Sequence, residues 1–489
     1  MSNTVGITAF GSYIPWRRFD RREMAQHTSW YQNAAGAAGE RAWCGWDEDV
    51  LTMAVEAARD CLPQPETRRE VSAVLLASTT APFADRSGAA VLRQAINASG
   101  DSLCLDVGGS YRAGTSALLT ALRMSAGQGG RTLCVASERV TSEPSSAEEL
   151  QSGDAAAAFA VGVGDTVIAE YLGSHSIATD FIDHFRPRNS VVNYAWESRW
   201  ARDEGVLSLV PAAVQEALKQ SDLTAADIDR FILPVPMKGA SASVAKKLGI
   251  RADAVAGGLD NVVGHSGTAA PLLELAHALE SLRPGQCVVV ASFGSGCDAL
   301  VLRRTQAPLR APRRGVSGWL ARRTSDNTYL KFLAAREMVT LSGGMRAEFD
   351  EKQSMPALWR NQSALLSLTG ARDEATGEVV FPPPAGSRPA EDSFSGVSLA
   401  DHPATVTTLT ADRLAYSLDP PTYYGVIDFA GGGRMTAEYC DVEPGTLAVG
   451  STVRMMFRIK TLDSRRGFRS YFWKAAPEPD VSTQEEEDD

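Results

Sequence analysis

No apolar run in these 489 residues approaches the ~18 needed to cross a bilayer, which argues against a membrane protein. Positive charge is scarce: 48 Lys+Arg against 59 Asp+Glu leave a net charge of -11. That is the wrong sign for displacing the counterions of a nucleic acid, so nucleic acid is not an expected partner. Cysteine is sparse, odd in number and without a CxxC; the seven at 44, 61, 104, 134, 287, 297 and 440 fit reduced thiols in a cytoplasm. The opening MSNTVGITAFGSYI has neither a basic n-region nor a long apolar h-region, so no secretory signal is expected. Histidine is also rare. His27, His175, His277 and His402 show no ligand spacing with Cys, Asp or Glu and read as surface or core.

What is present is ordinary globular composition, 44% hydrophobic and 22% charged, in a chain long enough for about three domain-sized units. Up to about residue 305, short apolar runs alternate with amphipathic stretches. Strands are expected at Ala73–Ser78, Thr132–Ser137, Ala156–Val161, Phe231–Val235 and Cys287–Ser292, each a near-continuous Val/Leu/Ile/Ala run that suits burial on both faces. Helices are expected at Val50–Cys61, Gly114–Met124, Val206–Leu218 and Ala270–Leu282. This alternation predicts an α/β layered architecture.

The region contains a repeat. Arg112-Ala113-Gly114-Thr115 and His265-Ser266-Gly267-Thr268 each open a helix that runs into an apolar strand. The Gly-Thr pairs lie 267 − 114 = 153 positions apart and the strands 287 − 132 = 155 apart. Two copies of one βα unit related by a pseudo-twofold, 1–165 and 166–305, explain the match. A helix N-terminus buried at such a site offers unpaired N–H groups to whatever faces it.

The ordered stretches VGITAFGSYIP, DEDVLTMAVEAA (47–58), STTAPFADRSGA (78–89), SEPSSAEELQSGDAAAAFAVG (142–162), ATDFIDHFRP (178–187), WESRWARDEGVLSLVP (196–211) and ASFGSGCDALVL (291–302) carry a family resemblance. Residues 1–305 resemble the thiolase superfamily, nearest its 3-hydroxy-3-methylglutaryl-CoA synthase branch and the type III β-ketoacyl synthases. The resemblance implies two pseudo-symmetric βα halves in layers, a homodimer, and an acyl thioester of coenzyme A or of an acyl carrier protein as substrate, with no permanently bound cofactor.

The departures restrict the chemistry. Anchored on Asp106 and Gly114-Thr115, the family's nucleophilic cysteine falls on Tyr111, or on Ser110 if the register slips by one. Its histidine falls on Pro234, its Asn or Asp on His265, and its acidic base on Thr79. A phenol with an ordinary pKa near ~10 is a poor acyl nucleophile at neutral pH. What remains is Tyr111 and His265 at equivalent helix openings, with Ser295 and Gly296 as oxyanion donors and His265 as general base for direct attack on a bound thioester. Lys238, Lys246 and Lys247 are candidates for a coenzyme A phosphate, against the reading of a solvated helix face. His184 reads as structural, and Cys297 as the one thiol near the pocket.

Basic, Pro-containing residues 303–323 read as a strap, and Leu330–Trp359 as helical with a break at Gly343-Gly344. Short β-type runs follow at Glu378–Phe381, Val397–Leu399, Ala404–Leu409, Tyr423–Phe429, Met435–Val442 and Ser451–Ile459. They predict a small antiparallel barrel. This part resembles the OB-fold, zinc-ribbon domain that accompanies acyl-CoA thiolases and synthases, with a linker and lead-in at 306–365, the OB-fold at 366–475 and an acidic, disordered tail at 476–489. The ribbon's first cysteine pair falls on Asp373 and Thr376, and Ala385–Ala390 holds none, so no structural metal is expected.

The expected function is a thiolase-fold acyltransferase of specialised metabolism that joins an acyl thioester to an amine, hydroxyl or carbon nucleophile without a cysteine intermediate. Two alternatives stand beside it: a catalytically silent scaffold for an active synthase, and a Ser110-dependent acyltransferase.

Overall fold

The computed structural model describes residues 4–31, 37–310, 312–347, 352–384 and 394–478. The chain divides into two compact units. The first runs to Arg336, apart from two short segments, Trp46–Glu48 and Gln94–Asn97, that belong with Glu337 onward in the second. The division falls inside the stretch 306–365 read as linker and lead-in.

Nine strands of the first unit form one sheet: β1 (Val5–Tyr13), β2 (Val71–Ala77), β3 (Leu103–Val107), β4 (Arg131–Arg139), β5 (Asp154–Val163), β6 (Ala169–Ala178), β7 (Ile228–Ile232), β8 (Cys287–Phe293) and β9 (Gly296–Arg304). Their spatial order is β7-β8-β9-β6-β1-β5-β4-β2-β3. The repeat is explicit in that order. Within the first five strands it reads third-second-fourth-fifth-first. The other half repeats it, with its third strand reduced to a parallel bridge between Phe231 and Val255. The halves join where β1 and β6 pair at Gly6/Glu170 and Ile7/Ala169.

Burial explains the apolar runs. Nine of the ten residues of β5 and every residue of β8 are buried, as expected for strands covered on both faces. Helix α1 (Val50–Cys61) is buried along its whole length and opens on a capping box of Asp49 and Thr52. Its Glu56 and Arg59 pair internally at 3.1 Å. Helices α2 (Ala113–Gln128) and α4 (Ala270–Ser281) are the two repeat helices; α3 (Leu207–Gln220) packs on β6 and β9. The openings of α2 and α4 abut: a Cβ on Gly114 would run into the Thr268 carbonyl, so a side chain there is excluded.

The expected strand Phe231–Val235 ends at Ile232, because Pro234 and Pro236 cannot donate to a ladder. The expected long helix at Leu330–Trp359 is also different. It is two helices, Tyr329–Ala335 and Met355–Arg360, with a 3-10 turn at Met345–Ala347. Glu337, in left-handed backbone, ends the first.

In the second unit, six strands form an antiparallel sheet: Ala404–Val406, Thr410–Asp412, Thr422–Phe429, Arg434–Glu438, Thr452–Asp463 and Phe468–Pro477. The last, paired along its whole length with Thr452–Asp463, is not among the strands expected from sequence. Lys474 is buried between Asp47 at 3.0 Å and Glu438 at 3.4 Å, and Arg458 between Glu48 at 3.4 Å and Asp441 at 3.0 Å. At the expected ribbon, Asp373 accepts from Ala375 and Thr376 N–H groups and closes the turn between Thr369–Asp373 and Val379–Val380. Ala385–Ala390 and most of the acidic tail lie outside the described residues.

Candidate active site

The loop before α2 is bolted to the β8–β9 hairpin. Asp298, 1% exposed, accepts from the Arg112 guanidinium at 3.0 Å and from the Thr115 and Ser116 hydroxyls at 3.1 and 2.6 Å. The Ser110 hydroxyl donates to Gly294 O at 2.6 Å and accepts from Arg112 N–H at 3.2 Å. A buried carboxylate with three donors is a stiff anchor, since releasing any of them leaves an uncompensated charge. Between these ties stands Tyr111. Its ring stacks on His184 at 4.0 Å between centroids and lies 5.8 Å from His265, and its hydroxyl accepts from Asn193 Nδ2 at 2.7 Å.

The two imidazoles differ in what they have free. His265 Nδ1 accepts from Gly267 N–H at 3.3 Å, which leaves the hydrogen on Nε2, directed at Pro234 O at 3.4 Å. Both ring nitrogens are thus engaged, and burial holds its pKa below the ordinary histidine value, so it is a neutral donor. His184 Nδ1 is 2.8 Å from Asp183 Oδ2. With that hydrogen given to the carboxylate, Nε2 keeps a lone pair and has no partner among the described residues. Glu138, fully buried, accepts from Thr79 and Thr268 N–H groups at 3.1 and 3.3 Å and from the Ser78 and Thr80 hydroxyls. Burial first, then the charges of Glu138 and Asp183, push the Tyr111 phenol well above its ordinary pKa. It stays protonated at any physiological pH.

Tyr111, His184, Asp183, Asn193 and His265 line a cavity of about 530 Å³, closed on another side by Trp196 and by Ala201 and Arg202 of a π-helical turn, Ala201–Val206. A second cavity of about 740 Å³ shares His265 and the 234–238 segment and reaches Glu274. Of the residues expected from sequence, Tyr111, His265 and Lys238 come together here. Ser110 is committed to its two hydrogen bonds. Ser295 sits in a left-handed turn with Gly294 N–H donating to Gly296 O at 3.0 Å, and neither Ser295 nor Gly296 lines either cavity. Lys246 and Lys247 stand exposed in the last turn of Ala240–Leu248, away from both cavities, where basic residues offset the helix dipole. Lys247 donates to Leu207 O at 2.9 Å. The Cys297 thiol faces its own backbone and the core packed behind β8, where burial raises its pKa. His184, expected to be structural, instead faces the cavity; the adjacent Asp183 was the signal in the sequence.

Known proteins agree with this architecture. Residues 218–303 match the model of the 3-oxoacyl-[acyl-carrier-protein] synthase III C-terminal domain, and 400–458 that of the ChsH2 C-terminal OB-fold domain. The chain is 29% identical over 312 residues to the hydroxymethylglutaryl-CoA synthase of Aeropyrum pernix, covering 62% of this chain and 86% of that one. It is 28% identical over 319 residues to the same enzyme of Thermococcus onnurineus, covering 62% and 90%. Among solved structures, an HMG-CoA synthase complexed with CoA superimposes with a TM-score of 0.58 at 16% identity, covering 72% of this chain and 96% of that one. The 3-oxoacyl-(acyl carrier protein) synthase III of Pseudomonas aeruginosa does so with a TM-score of 0.55 at 20% identity, covering 62% and 98%. The chain therefore joins a thiolase-fold part, similar to synthase III and hydroxymethylglutaryl-CoA synthase, to an OB-fold part.

Proposed function

We propose that the protein is an acyltransferase or condensing enzyme of specialised metabolism that takes an acyl thioester, of coenzyme A or of a carrier protein, and transfers the acyl group directly to a nucleophile. The observation that carries this reading is the Tyr111–His184–Asp183 array on the wall of the 530 Å³ cavity. No cysteine lines either cavity among the described residues, and a phenol held protonated does not attack a thioester. It can instead donate a hydrogen bond to the thioester carbonyl oxygen as negative charge develops there. Asn193 donates to the phenol oxygen and leaves the phenol's own hydrogen for that task. His184 Nε2, with Asp183 orienting the ring, takes the proton of the attacking amine or hydroxyl and returns it to the departing sulfur. The carbon–sulfur bond breaks, a carbon–nitrogen or carbon–oxygen bond forms, and the thiol leaves with the nucleophile's proton. His265 is the base expected from sequence, but its nitrogens are engaged, and we assign it to positioning.

The relatives named hydroxymethylglutaryl-CoA synthase support a thioester substrate. The edge strand β3, with Leu103 50% and Leu105 38% exposed, supports a homodimer formed by pairing edge to edge. Mass-spectrometric assay of amide or ester formation from an acyl-CoA series tests the reading. Tyr111→Phe and His184→Gln are each expected to lower kcat/KM at least 100-fold while circular dichroism is unchanged. Turnover indifferent to both substitutions would reject the mechanism. No turnover with any donor would favour a silent scaffold, and an acyl adduct on Ser110 would favour that hydroxyl as nucleophile.

A further inference from the structure

The 740 Å³ cavity has an end that the acyl-transfer chemistry above does not use. Its wall is mainly apolar, from Leu150, Ile232, Leu233, Val235 and Met237, yet Glu274 reaches it from the inward face of α4. Glu274 is 8% exposed and accepts no hydrogen bond among the described residues. Asp260, at the exposed end of the same cavity, likewise has no donor on its carboxylate among the described residues. Arg21 donates to the backbone carbonyls of Ala38 and Asp260, and its charge acts on the Asp260 carboxylate without a hydrogen bond to it. Among the described residues no cation acts on Glu274, and Lys238 is exposed at the rim. A buried carboxyl without a donor is costly, and two facing one cavity favour a cation between them.

We propose that this cavity binds a primary amine, its nitrogen held by Glu274 and Asp260 and its apolar portion against the 232–237 segment. The proposal rests on the acyl-transfer reading only in making that amine the acyl acceptor; the binding itself does not require it. Burial, then the charge of Asp260, pushes Glu274 up to about 8, so before an amine arrives it is protonated at neutral pH. An ammonium entering beside it favours ionisation, and the carboxyl proton leaves to solvent.

Calorimetry with n-hexylamine at pH 7, in two buffers of different ionisation enthalpy, reads both affinity and protons. The expected result is saturable binding with release of roughly one proton, and none with hexanoate or hexanol. Glu274→Gln should weaken hexylamine binding at least tenfold and abolish the proton release. Binding of hexylamine no tighter than hexanol, or without proton release, overturns the proposal. The proton count on the wild-type chain needs no variant, so it decides even where Glu274→Gln folds poorly. Hexylamine bound as expected, but never acylated by any acyl-CoA, would reject the transfer reading while the site stands. Amide formed with an unchanged KM for the amine in Glu274→Gln would reject the site while the transfer stands.

Discussion

A carboxyl buried without a donor ties stability to pH, and Glu274 sets the sign. Its native pKa is raised to about 8, whereas in the unfolded chain it titrates near ~4.3. Between those values the unfolded state has lost a proton that the native state keeps, so stability is fully present below about pH 4 and falls as pH rises towards 8. Each tenfold difference in proton affinity between the two states is worth about 1.4 kcal/mol. Glu274→Gln removes this dependence, and its gain in Tm over the wild type should be larger at pH 8 than at pH 5. His265 acts at the other end of the scale. Its lowered native pKa means that stability is lost as pH falls below ~6.5, where the unfolded imidazole takes up a proton that the native one refuses. Denaturant midpoints of His265→Gln and wild type should therefore converge as pH falls from 7 to 5.

Among the elements, the openings of α2 and α4 decide where Tyr111 and His265 stand. Gly114→Ala puts a methyl into the Thr268 carbonyl, and a strained or displaced helix start should cost about 2 kcal/mol in chemical denaturation. Its activity loss should exceed what the stability loss explains, because Tyr111 moves with the helix. Asp298→Asn keeps the shape but removes the charge that holds Arg112, Thr115 and Ser116. About 3 kcal/mol of destabilisation is expected, with KM little changed and kcat reduced in what remains folded.

Over the whole molecule, each unit carries its own buried ion pairs. In the first, Arg336 and Asp154 meet at 2.7 Å with side chains 1% and 0% exposed. In the second, Lys474 lies between Asp47 and Glu438. Removing one partner strands a buried charge, so Asp154→Ala and Lys474→Ala should each cost about 3–5 kcal/mol. If the units unfold separately, calorimetry should show each substitution lowering a different transition. The proposed edge pairing through β3 belongs at the same scale: if it forms the dimer, Leu105→Lys should shift the protein to monomer in light scattering, and an unchanged mass would reject it.

The sequence by itself determined the layered α/β class, the doubled unit and the β-rich second part. Those depend on local patterns: apolar runs where strands are covered on both faces, and the Gly-Thr openings of two helices. Helix α1 is legible to the residue, because its boundaries are set by a local cap. The missed strand Phe468–Pro477, the broken helix after Ala335 and the site's chemistry were not legible in this way. Which histidine keeps a free nitrogen is decided by ring orientation and one distant partner: the neighbouring Asp183 engages one nitrogen of His184 and the neighbouring Gly267 one of His265, but only folding brings Pro234 O to the second nitrogen of His265. Tertiary structure also decided that Lys246 and Lys247 face solvent and that Glu274 faces a cavity. Composition and spacing carry the period of an element; only packing decides what each side chain meets and which of its atoms remain unpaired.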